Sequence, residues 1–182
     1  MNAPVHNFGE SLRRSHAASD LPLWLEIYRQ AFPDMLACVD HRKDGEHQRA
    51  GIDRSIVLEN SKQILVDEKI RYPSDSGKVY HDILLEYLSS DKTDALGWVC
   101  KPLRCDFICY AIAATGKAYL LPVPQLQLAW SRHGSAWRAT YGEKPAKNRG
   151  YRTWNCPVPV PVLFPAIGEC LRYDFTPLAR AA

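Results

Sequence analysis

Two acidic residues and a lysine stand out because two neighbouring β-type segments would bring them together. Asp53 opens an apolar segment at residues 52–58, and Asp67 and Lys69 close a second one at residues 63–70. The short polar stretch between the segments indicates a turn, so the pattern predicts an antiparallel hairpin. Its two strands would carry the two carboxylates and the ammonium group side by side.

The alternation of side chains fixes the register of this hairpin. A three-residue loop pairs the apolar faces with each other, whereas a shift by one residue would turn every side chain of a strand to the other face. In the matched register Asp53 lies opposite Asp67 or Lys69, with Cβ atoms roughly 4.5–5.5 Å apart. Glu68 then points to the opposite face, so Asp67 is the acid predicted to share a face with Lys69.

The chemistry of this polar face follows from its charges. Two close carboxylates repel each other unless a proton or a cation lies between them. Their oxygens suit Mg²⁺ or Mn²⁺, and such a metal can activate water and offset charge on a phosphodiester. A nearby lysine can position that water or stabilise the developing charge. The alternative interpretation is a solvated hairpin face with an ordinary cross-strand ion pair.

This arrangement resembles the motif of the PD-(D/E)xK, or restriction-endonuclease-like, nuclease superfamily, in which an acid starts one strand and (D/E)-x-K ends the next. Asp53 matches the first acid and Asp67-Glu68-Lys69 the second part, whereas Ile52 stands where the motif has proline. The resemblance implies a single α/β domain with a central mixed β-sheet flanked by helices. It also implies a Mg²⁺- or Mn²⁺-dependent nuclease acting on phosphodiester bonds, with DNA as the expected partner.

The resemblance assigns roles within the motif. Asp53 and Asp67 would bind the metal, and Lys69 would complete the catalytic set. Glu68 is an auxiliary candidate, since composition alone does not choose between the two adjacent acids. Whether the enzyme cuts internally or from ends, and whether it forms a homodimer, stays open.

Two further acids are auxiliary candidates because helices are predicted around the hairpin. Apolar spacing predicts helices at residues 21–32 and 82–90. Glu26 lies in the first and Glu86 in the second, where the resemblance implies that Glu86 orients Lys69 or holds a second metal. A solvent-facing glutamate is the alternative at both positions.

The residues before the hairpin, 37–50, are predicted to be a polar connector. His41 and His47 lie six positions apart, which matches no common zinc pattern, so exposed loop histidines are the favoured interpretation. Gln48 and Arg49 precede the first strand and are candidates for reaching a phosphate.

The second half of the chain contains a continuous apolar run at residues 106–113, typical of a strand buried on both faces. A turn and a second strand at 117–121 follow, and a helix is predicted to start at 125–130. This order resembles the second half of the same nuclease core. Further on, residues 153–165 alternate valine with proline, which predicts an edge strand at most, and 166–173 predict a short closing helix.

Residues 131–155 combine six cations with interleaved tryptophan and tyrosine, and their glycines and proline predict a loop. Basic side chains bind phosphates, and aromatic rings stack on bases. The alternative is a solvated loop whose aromatic rings pack on the core. The nucleic-acid-binding candidates in this stretch are Arg138, Lys144, Lys147, Arg149 and Arg152.

Composition bounds these interpretations. The 182 residues are 46% apolar and 24% charged, which suits a soluble globular protein, and the net charge of +3 permits a nucleic-acid partner without requiring one. No run of 18 apolar residues predicts a membrane span. Residues 1–20 are predicted to be a flexible tail, with the nuclease-like domain at 21–175.

Six cysteines without a secretory signal predict free thiols in a cytoplasmic protein. Cys100, Cys105 and Cys109 lack the C-x₂-C spacing of a zinc knuckle, so structural thiols are favoured over a zinc protein. The main alternative to a nuclease is a non-catalytic nucleic-acid-binding or interaction protein that retains the nuclease fold. Such a protein has no need for paired carboxylates where phosphates would bind.

Overall fold

The computed structural model describes residues 20–74, 76–168 and 171–174, which form two compact units. The six-stranded unit comprises the described residues of 19–81, 103–124 and 169–182, and the four-stranded unit those of 82–102 and 125–168. The fold is α/β, as the sequence predicts. The predicted tail, apart from Asp20, lies outside the described residues.

The six-stranded unit is built on a mixed sheet. Its elements are α1 (Leu23–Ala31), β1 (Met35–Asp40), α2 (Gly45–Ala50), β2 (Arg54–Leu58), β3 (Gln63–Arg71), β6 (Phe107–Ile112), a 3₁₀ turn (Ala113–Thr115), β7 (Lys117–Pro122) and β10 (Leu171–Asp174). The strand order is β1-β2-β3-β6-β7-β10, with β3 and β6 parallel and the other neighbours antiparallel. A mixed sheet was expected from the sequence and is confirmed.

Strands β2 and β3 form the predicted hairpin in the predicted register. Arg54 pairs with Val66 and Ile56 with Ile64, so the core-facing side of one strand lies beside the core-facing side of the other. The N–H group of Leu58 donates to the carbonyl oxygen of Lys62 at 2.9 Å, which closes the predicted three-residue loop. The hairpin therefore places Ile56, Leu58 and Val66 on one face and Asp53, Asp67 and Lys69 on the other.

Helix α1 covers the apolar face of this hairpin. Its buried side chains belong to one core with buried residues of β2, β3, β6 and β7. That core consists of Leu23, Trp24, Ile27, Tyr28, Ile56, Leu58, Val66, Cys109, Ala111, Ala118 and Leu120. The predicted helix at 21–32 and the buried strand at 106–113 are confirmed.

The polar connector predicted at residues 37–50 is instead mostly regular structure, because β1 and α2 occupy most of these residues. Strand β1 pairs antiparallel with β2 at the sheet edge. The side chain of Asp44 accepts hydrogen bonds from the N–H groups of Glu46 and His47 and thereby caps α2. Gly51, with φ of 72°, ends the helix in the left-handed conformation that glycine favours.

The four-stranded unit is built on an antiparallel sheet. Its elements are β4 (Asp82–Ser90), β5 (Ala95–Leu96), α3 (Val123–Tyr141), β8 (Lys144–Asn148), β9 (Tyr151–Pro159) and α4 (Val160–Ile167). The strand order is β5-β4-β9-β8. The buried core includes Ile83 and Leu85 of the sheet and Leu126, Trp137 and Leu163 of the helices. The predicted helix start at 125–130 falls inside α3.

The helix predicted at residues 82–90 is wrong, because these residues form β4. Ile83 and Leu85 are fully buried whereas Leu84 and Glu86 are half-buried, which is the two-residue period of a strand. Pairing with β9 along most of the segment outweighs its local helical tendency. A short apolar run does not distinguish these two cases by itself.

The edge strand predicted at 153–165 is only partly right, because β9 lies between β4 and β8 up to residue 155, has β4 as its single neighbour at 156–159, and gives way to α4 at residue 160. Pro157 and Pro159 pair with Leu84 and Asp82 of β4. Strand β8 pairs only with residues 151–155, so the two prolines lie where β9 has no second neighbour to receive a hydrogen bond. The closing helix predicted at 166–173 is replaced by the end of α4 and by β10.

The loop predicted at 131–155 contains regular structure instead. Helix α3 continues to Tyr141, and β8 and β9 form a hairpin with a tight turn at Arg149 and Gly150. Gly150 has φ of 88°, a conformation that accounts for glycine at this turn. No helix within the described residues is long and apolar enough to cross a membrane.

The close packing around Gly97 leads us to expect that a larger residue there lowers the stability of the four-stranded unit. A Cβ atom there would lie 2.2 Å from the carbonyl oxygen of Glu86, a backbone atom that cannot move aside alone. Gly97→Ala should lower the free energy of unfolding by about 1–3 kcal/mol, measured by urea unfolding followed by tryptophan fluorescence. Gly45→Ala is the control, because its Cβ would only touch the Arg49 side chain at 3.4 Å. Equal effects of the two changes would contradict the steric argument.

Candidate active site

The position of Asp53 is fixed by the start of the hairpin. Its N–H group donates to the carbonyl oxygen of Val66 at 2.9 Å, which extends the β2–β3 pairing by one residue. Its carboxylate accepts two hydrogen bonds, from the N–H group of Glu68 at 2.8 Å and from Nε2 of Gln48 at 3.0 Å. Asp53 is therefore held by its own hairpin and by α2.

Asp67 and Lys69 complete a three-residue cluster on the same face of the sheet. Nζ of Lys69 lies 2.5 Å from Oδ1 of Asp67, and the carboxyl groups of Asp67 and Asp53 are hydrogen-bonded to each other. The side chain of Asp67 is only 7% exposed, whereas that of Lys69 is 32% exposed. The predicted catalytic residues are thus in mutual contact, and the lysine is more accessible than the acid that it pairs with.

The electrostatics of the cluster separate the two acids. Burial raises the pKa of Asp67 to about 6 although Lys69 opposes this, and the charge of Asp53 raises it further. Burial also opposes ionisation of Asp53, but the Lys69 charge and hydrogen bonds from Asp67, Glu68 and Gln48 outweigh it and keep the pKa of Asp53 below its usual value. Below about pH 6 a proton at this pair would therefore reside on Asp67, whereas near neutral pH both carboxyl groups are ionised.

The donor set of the cluster fits a hard divalent cation. The carboxyl groups of Asp53 and Asp67 interact directly, and carboxylate oxygens are the ligand type that Mg²⁺ and Mn²⁺ take in proteins. A cation there would offset the repulsion between the two carboxylates. Asp53 and Asp67 are thus the residues able to hold the metal that the sequence predicts.

Glu68 lies on the opposite face of the sheet, as predicted. Its side chain is 1% exposed and accepts hydrogen bonds from Nε of Arg54 at 3.0 Å and from the hydroxyl group of Tyr28 at 2.9 Å. Burial raises the pKa of Glu68 to about 7 against the opposing charge of Arg54. Oε2 of Glu68 is buried without a hydrogen-bond partner among the described residues. This network binds α1 to the hairpin and is separate from the cluster around Asp67.

The other auxiliary candidates occupy different places. Glu26 is exposed on α1, the helix that covers the opposite face of the hairpin, so the structure does not bring it to the cluster. Glu86 lies on β4 in the four-stranded unit, where the hydroxyl group of Ser89 donates to it. Its suggested role toward Lys69 stays a prediction.

Of the two candidates before the hairpin, only Gln48 joins the cluster. It orients the carboxylate of Asp53, a role that the sequence did not predict. Arg49 is exposed near the end of α2. Gln48 lies three residues before Gly51, in the last turn of α2. The sequence analysis did not predict this helix, and without it the direction of the Gln48 side chain could not be predicted.

The basic candidates of residues 131–155 fall into two groups. Arg138, on α3, contacts Oε1 of Glu143 through Nη1 at 3.2 Å, and its guanidinium lies over the ring of Tyr87. The other four lie on the β8–β9 hairpin, with Lys147 directly opposite Arg152 and with Arg149 in the turn. This hairpin group consists of Lys144, Lys147, Arg149 and Arg152.

The sequence missed a cluster formed by His41, Asp44 and His47. Their ligand-type atoms all lie within 4.8 Å of one another, the only such group among the described residues. The two imidazole rings are stacked with centroids 4.0 Å apart. Each ring already has a hydrogen-bond partner: His41 pairs with the hydroxyl group of Ser55, and His47 pairs with the carboxylate of Asp44. Parallel stacked rings do not aim their lone pairs at one point, so the cluster as arranged is a capping network. The sequence signal that could have revealed this cluster is the helix-capping residue Asp44, which lies three positions before His47.

The five cysteines in the described part of the chain have free thiols. Burial raises the pKa of Cys105 to about 12 and that of Cys109 well above its usual value. Buried, protonated thiols are poor metal ligands and poor nucleophiles. This agrees with the structural role predicted for them.

The chain matches no protein-family model, no curated protein and no solved structure. The interpretation of the cluster therefore rests on its own geometry and chemistry. The arrangement supplies a buried and a half-buried carboxyl group, an adjacent ammonium group and an amide that orients one of the acids.

Glu68 predicts a stability effect that is distinct from any chemistry at Asp67. Glu68→Ala removes a charged hydrogen bond to the half-buried Arg54, which also contacts Asp40 at 3.8 Å, and should lower the free energy of unfolding by about 1.5–3 kcal/mol. Tyr28→Phe removes one hydrogen bond to the same carboxylate and should cost about 1–3 kcal/mol. Urea unfolding at neutral pH measures both. A Glu68→Ala protein as stable as the parent would mean that this network does not hold α1.

Proposed function

We propose that the protein is a Mg²⁺- or Mn²⁺-dependent nuclease that hydrolyses phosphodiester bonds, with DNA as its substrate. The observation that carries the proposal is the contact of Asp53, Asp67 and Lys69 on one face of the β2–β3 hairpin. The resemblance to the PD-(D/E)xK superfamily supports the same assignment of roles. The proposal includes membership of that superfamily and its restriction-endonuclease-like sheet.

The roles of the chain's own groups follow from their contacts. Asp53 and Asp67 would hold the metal, which when bound would lower the pKa of a water molecule and offset charge on the phosphate. Gln48 and the N–H group of Glu68 keep the carboxylate of Asp53 in one orientation. Lys69 would place a positive charge and hydrogen-bond donors beside the attacked phosphate.

A purely structural ion pair explains the cluster less well. Lys69 and Asp67 alone would satisfy each other, yet Asp53 adds a second carboxyl group that makes ionisation of Asp67 unfavourable. Carboxyl groups with strongly shifted pKa values, close to a specific charged partner, are typical of functional sites. The pair therefore favours a site that gains a cation over a solvated hairpin face.

The β8–β9 hairpin supports a nucleic-acid partner by a similar argument. Lys147 and Arg152 are cross-strand neighbours, and like charges directly opposite each other destabilise a sheet. Asp91 lies near Arg152, where its carboxylate accepts from the backbone N–H group at 2.7 Å. One acid does not balance the cations of this hairpin, whereas a phosphate backbone would.

The cluster predicts a graded loss of cleavage. Asp67→Ala should reduce cleavage by ~10³-fold or more, because the variant lacks a metal-binding carboxylate. Lys69→Ala should reduce it by ~10²–10³-fold, as expected for one electrostatic group. The measurement is single-turnover cleavage of plasmid, linear, branched and single-stranded DNA with Mg²⁺ or Mn²⁺.

Glu68→Ala is the matched control for this series. Since Glu68 lies on the other face, the variant should keep most of its rate at a temperature where circular dichroism shows it folded. A dead Glu68→Ala with an active Asp67→Ala would contradict the assignment of Asp67. A parent protein that binds DNA but cuts nothing with either metal would favour the non-catalytic alternative.

The basic hairpin predicts a change in salt dependence. Replacing Lys144, Lys147 and Arg149 by alanine should weaken DNA binding and reduce the log–log salt slope by up to about 0.9 for each phosphate that is no longer neutralised. Arg138→Ala is the comparison, because its guanidinium is engaged by Glu143 and Tyr87. Fluorescence anisotropy across a salt series gives both slopes. An unchanged slope in the triple variant would show that the hairpin does not bind phosphate.

A further inference from the structure

Arg71, the last residue of β3, stacks on the ring of Tyr80. Its guanidinium carbon lies 3.9 Å from the ring centroid, and Nζ of Lys78 lies 5.8 Å from the same centroid. A guanidinium held on an aromatic face loses less freedom when it binds a ligand. Stacking engages the face of the group, whereas its N–H donors lie at the edge, so the two kinds of contact do not compete.

The segment that carries Tyr80 is closed by its own hydrogen bonds. The N–H group of Ser74 donates to the carbonyl oxygen of Lys78 at 3.1 Å, and the N–H group of Lys78 donates to the hydroxyl oxygen of Ser74 at 2.9 Å. This closure returns the chain toward the end of β3, where Tyr80 meets Arg71. The stacked pair is thus built into the fold by local bonds.

Arg71 lies on the same face of the sheet as the cluster. Side chains alternate along β3, so Asp67, Lys69 and Arg71 project to one side. Lys69 and Arg71 are two positions apart along the strand, a spacing of ~6.6–6.8 Å. Successive phosphates of a nucleic-acid strand are separated by a comparable length. A strand whose phosphate reaches Lys69 therefore has its next phosphate within the range of Arg71.

We propose that Arg71, oriented by Tyr80, binds the phosphate that neighbours the one at the Asp53–Asp67–Lys69 cluster. This inference rests on the proposed function, because it takes the cluster as the place of the reacting phosphate. Arg71 is a positioning residue and not a catalytic one. Contacts of this kind fix the register of a nucleic-acid strand without reading its sequence.

The test compares Arg71→Ala with Lys62→Ala, an equal change of charge in the turn at the other end of β3. Binding of a fluorescein-labelled DNA duplex is measured by anisotropy in EDTA across a salt series, and cleavage is measured in Mg²⁺. Arg71→Ala should weaken binding by ~10-fold or more and lower the salt slope by about 0.9. Lys62→Ala should change neither.

Two conservative variants separate orientation from charge. Tyr80→Phe keeps the ring and should bind like the parent, whereas Tyr80→Leu removes the stacking surface and should weaken binding with an unchanged salt slope. Arg71→Lys keeps the charge and should also keep the slope, but with lower affinity because lysine lacks the planar fork.

A substrate series locates the phosphate that Arg71 binds. Once the linkage cut by the parent is mapped, a single uncharged methylphosphonate is placed on either side of it. The parent should lose affinity for one of these substrates, and Arg71→Ala should be indifferent to that same substitution. Equal sensitivity of the parent and Arg71→Ala at both positions would overturn the inference.

The inference and the proposed function fail in different ways. A parent that cleaves DNA while Arg71→Ala binds as Lys62→Ala does would overturn the role of Arg71 and leave the nuclease intact. A parent that binds DNA but never cleaves it, together with a weak Arg71→Ala, would overturn the nuclease and support the phosphate contact. A parent that neither binds nor cleaves DNA would overturn both.

Discussion

The register of the β2–β3 hairpin is the constraint on which the rest of the six-stranded unit depends. It sends Ile56 and Val66 beneath α1 and places Asp67 and Lys69 on the other side. A slip by one residue would exchange the two sets, burying two acids under a helix and exposing the core. The three-residue loop that Leu58 and Lys62 close therefore determines both the packing of this unit and the composition of its candidate site.

Two charged networks lie back to back across this hairpin. Glu68, Arg54 and Tyr28 bind α1 on one side, while Asp67 and Lys69 form the cluster on the other. The backbone links the two, since the N–H group of Glu68 donates to the carboxylate of Asp53. A change in either network thus reaches the other through one peptide group, which is why stability and chemistry must be measured separately at these adjacent positions.

The local sequence pattern correctly predicted those elements whose own periodicity shows which face is buried. The hairpin, α1 and the buried β6 each have a period that matches the face they bury, and parity alone placed Asp53, Asp67 and Lys69 on one face. The segment 82–90 and strand β9 were misread because their structure depends on pairing with each other, across a separation that no local pattern contains. The histidine cluster and the contact of Gln48 with Asp53 were missed for a related reason: both need α2, a helix of six residues whose main signal is the capping residue Asp44.

The carboxyl pair is a cost to the folded state and not a source of stability. Asp67 is buried beside a second acid, and its raised pKa measures how unfavourable its ionised form is there. Lys69 offsets that cost in part, but a lysine that is one-third exposed does not need a second carboxyl group as a partner. The core beneath α1 is large enough to carry such a penalty, and strain of this kind is typically retained where a ligand relieves it. A divalent cation between Asp53 and Asp67 would replace the repulsion of the two carboxylates by an attraction that both share.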